Sequence, residues 1–221
     1  MRRILIVALS AALLTTAAWV IRGAAAGSTR PAGATAKAAA ANDAPTDERV
    51  LERGARIGDP ARLASQLAAA RLATARYATS LHAARADGYQ IITRMIPDMG
   101  WHFLNPAIQG FDVTKPPILV YERHGRKWQL AALEWVFTQQ PEVPLLPGAT
   151  YGSFGAACHY KDGTFVFARV QELCAKRSPE TEAPFNFWHP DLVTLHVWLW
   201  YPNPDGLYNG TNPLIRPFNR D

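Results

Sequence analysis

Six histidines carry most of the chemistry this sequence can offer, and their settings sort them. His82 falls in a helical stretch and His124 in a tight turn, where an imidazole faces water and has no special task. His102, His159, His189 and His196 sit instead among aromatic and apolar neighbours. In the segment Leu192 to Trp200, strand alternation puts Val193, Leu195, Val197 and Leu199 on one face and Thr194, His196, Trp198 and Trp200 on the other. A histidine sharing its face with two tryptophans points into an enclosed space. Glu134 is the second anomaly, because it shares a face with Leu130, Ala132 and Val136 in a run that otherwise reads as core. A carboxylate buried there must be paired, protonated or metal-bound, since burying it alone is costly. The plain alternative is that this face is solvated.

His102, His189 and His196 therefore make an expected metal site, with Glu134 as fourth ligand or as the acceptor that fixes a histidine tautomer. Nitrogen and oxygen donors suit zinc, copper or non-haem iron, and the lack of free thiolates argues against an iron-sulfur cluster. With one coordination position open, such a site could also activate water or dioxygen and make the protein an enzyme. His159 follows a cysteine and precedes a hairpin turn, which favours a structural role. No Gly-x-Ser-x-Gly elbow occurs; Gly152-Ser153-Phe154-Gly155 is only superficially like one. The acids Asp98, Glu122 and Glu134 have no fixed separation that would make a glycosidase pair. Six of the seven tryptophans lie between Trp101 and Trp200. They either fill a small β core or form a platform for a sugar or apolar ligand, so the alternative function is a metal-free binding or structural module of the cell envelope.

The elements that must position these residues are legible in the periodicity. Asp59 and Pro60 make an N-cap and first-turn proline, and Leu63, Leu67, Ala70, Thr74, Tyr77, Leu81 and Ala84 recur at spacings of four and three. One amphipathic helix running to Asp87-Gly88 follows, with Arg71, Arg76 and Arg85 facing water. Beyond it the pattern turns extended: Tyr89–Met95, Ile118–Arg123, Trp128–Phe137, Thr164–Val170 and Leu192–Trp200 are rich in β-branched and aromatic residues, separated by turn signals. The expected fold is α+β, with one N-terminal helix packed on or plugging a mostly antiparallel sheet or barrel of about five to seven strands. The tail from Tyr201 onward reads as an ordered wrap.

Ahead of this domain, Arg2 and Arg3, the uncharged run Ile4 to Ile21 and the small residues Ala24-Ala25-Ala26 read as a signal peptide over residues 1–26. Residues 27–58, rich in Ala, Gly, Thr and Pro, read as a disordered linker, leaving residues 59–221 as a single globular domain. Export to the periplasm or medium follows, with a membrane association only if the leader stays uncleaved. The formal charge of +5 falls to +2 once Arg2, Arg3 and Arg22 leave with the leader. That balance, without a basic run, excludes nucleic acid and leaves a small molecule or an envelope component as partner. Cys158 and Cys174, an even pair in an oxidising compartment, are expected to form a disulfide.

Met99-Gly100-x-His102 with Asn105-Pro106, the segment Pro117 to Glu122, Leu133-Glu134-Trp135, and His196-x-Trp198-x-Trp200-x-x-Asn203-Pro204-x-Gly206 resemble an uncharacterised family of exported bacterial domains. The resemblance spans roughly residues 75–215. It implies one domain over that range and implies no substrate.

Overall fold

The computed structural model describes residues 59–218, so the expected leader and linker lie outside the described residues. Asp59 caps the first helix, α1 (Pro60–Thr74), by accepting from the backbone amides of Ala61 and Arg62, as the Asp-Pro start requires. The expected single helix is broken. A short 3-10 turn covers Ala75–Tyr77, and a second helix, α2 (Leu81–Ala86), begins on the side-chain cap of Ser80. The cause is tertiary. The Tyr77 carbonyl accepts from the Tyr121 hydroxyl at 2.9 Å, and the Ala78 carbonyl accepts from the Leu130 amide at 2.8 Å, so both are drawn out of the helical ladder.

Nine strands follow among the described residues: β1 (Gln90–Ile96), β2 (Gly100–Leu104), β3 (Ile118–His124), β4 (Lys127–Phe137), β5 (Gly152–Phe154), β6 (Ala157–Tyr160), β7 (Phe165–Phe167), β8 (Phe185–His189) and β9 (Leu192–Val197). The sequence pattern signals five of these regions and misses β2, β5, β6 and β8; the strand expected over Thr164–Val170 contracts to the three residues of β7. All pairings are antiparallel, in a six-stranded half-barrel of order β1-β2-β3-β4-β9-β5 and a three-stranded sheet of order β7-β6-β8. The two sheets meet at β1, where the Arg94 amide donates to the Gly163 carbonyl at 2.7 Å.

One face of the half-barrel packs Phe103, Leu119, Tyr121, Leu133, Trp135, Leu195 and Val197 against Ala70, Tyr77, Leu81 and Ala84, so the helices lie on the sheet and do not plug it. The other face carries Ile118, Val120, Ala132 and Trp198, with Ile215 of the tail packed among them. Alternation fails at two expected positions, one at a bulge in β4 and one beyond the end of β9. Val120 pairs with Ala132 while Tyr121 pairs with Leu130, which leaves Ala131 as an extra residue in β4. Leu130 is thereby turned to the helix side, away from Glu134. β9 ends at Val197, where the Leu199 amide turns back to the Val197 carbonyl at 2.8 Å; beyond that turn Trp200 lies on the helix side, its amide and that of Tyr201 donating to the Ala131 carbonyl at 3.0 and 3.1 Å. There its indole donates to Thr74 Oγ1 at 3.0 Å under the guanidinium of Arg71.

Candidate metal centre

Glu134 on β4 and His196 on β9 are direct cross-strand partners, and His102 approaches from β2 on the same face, two strands away. Val120 of β3 and Ala132 of β4 stand in line with His102 across the sheet. His102 Nε2 lies 3.6 Å from Glu134 Oε2, and His196 Nε2 lies 3.9 Å from the same oxygen. One donor atom from each of the three residues falls within 4.8 Å of the others, and the residues are only 3 %, 7 % and 3 % exposed. Two ligands bonded at 2.0–2.1 Å in a tetrahedron stand about 3.3 Å apart, so closing on a common ion takes a movement of roughly 1 Å or less per side chain.

Burial sets the electrostatics. It pushes the Glu134 carboxyl up to about 8 and pulls His196 down to about 4. His102 is pulled to about 3, first by the same desolvation and then by the neighbouring His196. At neutral pH the metal-free cluster is a protonated acid between two neutral rings. The ring nitrogens of His196 have no hydrogen-bond partner although both are buried, an orphaned pair that a native interior rarely tolerates without a further partner. His102 is better held: its Nδ1 is 2.7 Å from Thr93 Oγ1, and in the Nδ1–H tautomer Nε2 keeps its lone pair toward Glu134.

Thr93 reaches His102 because of a second bulge. Ile91 pairs with Phe103 and Thr93 with His102, so Ile92 is an additional residue in β1, and Ile92 and Thr93 both face inward. They border a cavity of about 190 Å³ between the two sheets, which His102 and Glu134 also line. Its other walls are mainly Ile96, Met99, Leu104, Val136, Phe154 and Leu192.

The structure brings three of the four expected ligands together and leaves the fourth out. His189, at the end of β8, is directed at His159 of β6, with their Nε2 atoms 3.0 Å apart. The pairing of β6 with β8 carries it there, and neither strand belongs to the half-barrel that holds the triad. His159, read from the sequence as structural, is a buried cavity-lining residue. The signal that could have found it is its place beside Cys158 in a strand too short to show a period. Of the two readings of the tryptophans, core filling is the one observed, and no platform lines the cavity: Trp101, Trp128, Trp135 and Trp200 pack on the helix side, and Trp188 and Trp198 are bonded through their indole N–H to the carbonyls of Ala168 and Asn209. Cys158 and Cys174 form the disulfide.

No family model, no curated protein and no solved structure matches this chain.

Proposed function

We propose that this protein is an exported metal-binding protein whose ion is held by His102 Nε2, His196 Nε2 and a carboxylate oxygen of Glu134. The observation that carries the reading is the convergence of three buried donor atoms within 4.8 Å, with the His196 nitrogens left without any other partner. Two imidazoles and one carboxylate suit zinc or non-haem iron best, and copper next. Such an ion polarises or deprotonates a molecule bound at its open positions, which is the route by which the protein would act as a metalloenzyme. The residues of the chain do the rest. Thr93 fixes the His102 ring, the carboxyl of Glu134 gives up its proton when it becomes a ligand, and the apolar cavity wall keeps bulk water from the site. Export is supported by the disulfide, and among the described residues no helix is long and apolar enough to cross a membrane. Membership of the exported bacterial domain family rests on the motif resemblance alone.

Elemental analysis of tag-free protein tests the reading. At least one equivalent of a transition metal is expected, with one equivalent lost in His196→Ala; less than about half an equivalent, unchanged by that substitution, rejects it.

A second reading, a metal-free envelope module, is favoured by one feature: most of the exposed wall of the cavity is apolar. It fits a small apolar ligand. Chelator-treated protein stabilised by an apolar ligand, and indifferent to zinc, iron and copper, would select this reading.

A further inference from the structure

His159 and His189 present two ring nitrogens that the triad does not use. The His159 ring, 2 % exposed, stacks on Phe187 at 4.7 Å and on Phe165 at 5.7 Å, which fixes its plane. Its Nδ1 is 2.7 Å from the Ile92 carbonyl oxygen, and His189 Nδ1 is 2.6 Å from the Pro190 carbonyl oxygen. A carbonyl only accepts, so each Nδ1 carries its ring's hydrogen and donates it. In the neutral rings both Nε2 atoms are then bare lone pairs, facing one another at 3.0 Å. Lone pairs at that distance repel unless something positive lies between them.

Donation of one ring N–H to a backbone carbonyl is the arrangement that orients a metal-binding imidazole and raises the basicity of its other nitrogen. Here both rings have it. Bonds of 2.0–2.1 Å from atoms 3.0 Å apart meet at an angle of roughly 91–97°. That is a cis pair, unlike the linear arrangement of a two-coordinate copper(I) ion. Both rings line the same cavity as His102 and Glu134, so the remaining coordination positions open into it.

We propose that His159 and His189 form a second cation site, a cis pair of imidazoles that chelates a divalent transition ion such as zinc or copper(II). The site goes beyond the triad and does not require it. The bulge in β1 serves both centres: the Ile92 carbonyl orients His159, and the hydroxyl of the next residue orients His102.

The test is a zinc titration of the chelator-stripped, tag-free, disulfide-intact protein, followed by calorimetry and by long-range proton–nitrogen NMR of the histidine rings. Wild-type protein is expected to bind two equivalents. His189→Gln, at a half-buried position, and His159→Phe, which preserves the aromatic stack, should each lose one and keep the other, with zinc-dependent shifts at Nε2 of His159 and His189 in the wild type. If both variants bind as much zinc as wild type, the second site is wrong. It is equally wrong if a shared imidazole–imidazolium proton persists in excess zinc. A single equivalent removed by His196→Ala but retained in His189→Gln overturns the second site and leaves the triad standing. A single equivalent with the opposite pattern upholds the second site and overturns the triad.

Discussion

A carboxyl enclosed by two imidazoles in an apolar wall titrates against its surroundings, and this makes the centre testable by pH. Because burial pushes Glu134 up to about 8, a divalent ion must expel its proton on binding. Affinity for zinc at the triad should therefore rise about tenfold per pH unit from pH 6 to about pH 8, where a site built only on ordinary histidines would level off near their usual value of about 6.5. Calorimetry at pH 6, 7 and 8 measures this slope, and its absence would remove Glu134 from the ligand set. The stability of the metal-free protein carries the same information with two opposed signs. Glu134 holds its proton more tightly folded than unfolded, so its contribution is complete below the ordinary carboxylate range and is lost as pH rises through about 8. His102 and His196 are depressed to about 3 and 4, so their contribution is complete above about 6.5 and is lost as pH falls toward those values. Maximum stability is expected near pH 6.5. Glu122 adds to the alkaline loss, because it is buried with Oε2 unpartnered and burial pushes it up to about 7. Glu122→Gln should raise the melting temperature at pH 8.5 and leave it nearly unchanged at pH 5, as read by calorimetry.

At the scale of the element, what places these residues is strand irregularity. Gly100 opens β2 with φ at +111°, and a Cβ there would lie 2.5 Å from the Tyr121 carbonyl oxygen. Gly100→Ala should cost at least about 2 kcal/mol in urea unfolding and reduce metal uptake, because His102 is two residues along the same strand. The disulfide acts on the other sheet. It closes a loop of sequence separation 16 and anchors β6 one residue before His159, so replacing both cysteines with alanine should cost about 3 kcal/mol. Hydrogen exchange should then show lost protection in β6 and β8 and retained protection in β3 and β4. These features mark where the sequence is legible and where it is not. The alternation of Leu133 with Glu134 and of Leu195 with His196 is a period of two, so the face of each residue could be read. The bulges at Ile92 and Ala131 leave no mark in residue type, being an ordinary isoleucine and alanine. For that reason alternation puts Leu130 on the wrong face and hides the double use of β1; Trp200 is misplaced because β9 ends at Val197, three residues before it. β6 was missed because its four residues are too few for a pattern.

For the whole molecule, the class of the fold follows from the switch of period near residue 89, since a helical repeat followed by extended runs leaves few ways to bury both. The order of the strands does not follow from it. His102, Glu134 and His196 meet because β9 lies beside β4 and β2 lies two strands from β4 on its other side, and His189 is diverted because the pairing partner of its strand is β6. Ions that bind only the folded chain stabilise all of it by mass action. Zinc at about one hundred times its dissociation constant should add about 2.7 kcal/mol, or roughly 5–10 °C in melting temperature, and chelator should reverse the gain. The additional alanine in β4 also has an evolutionary corollary. Position 131 is the one residue of its strand that β3 does not match, so small side chains serve there and the position itself could be dropped. Without it Leu130 would still face Tyr121 and Ala132 would still face Val120, and the acid would keep its lodging. A three-nucleotide deletion there would thus spare the centre, whereas the same loss at position 133 would swing Glu134 to the helix side.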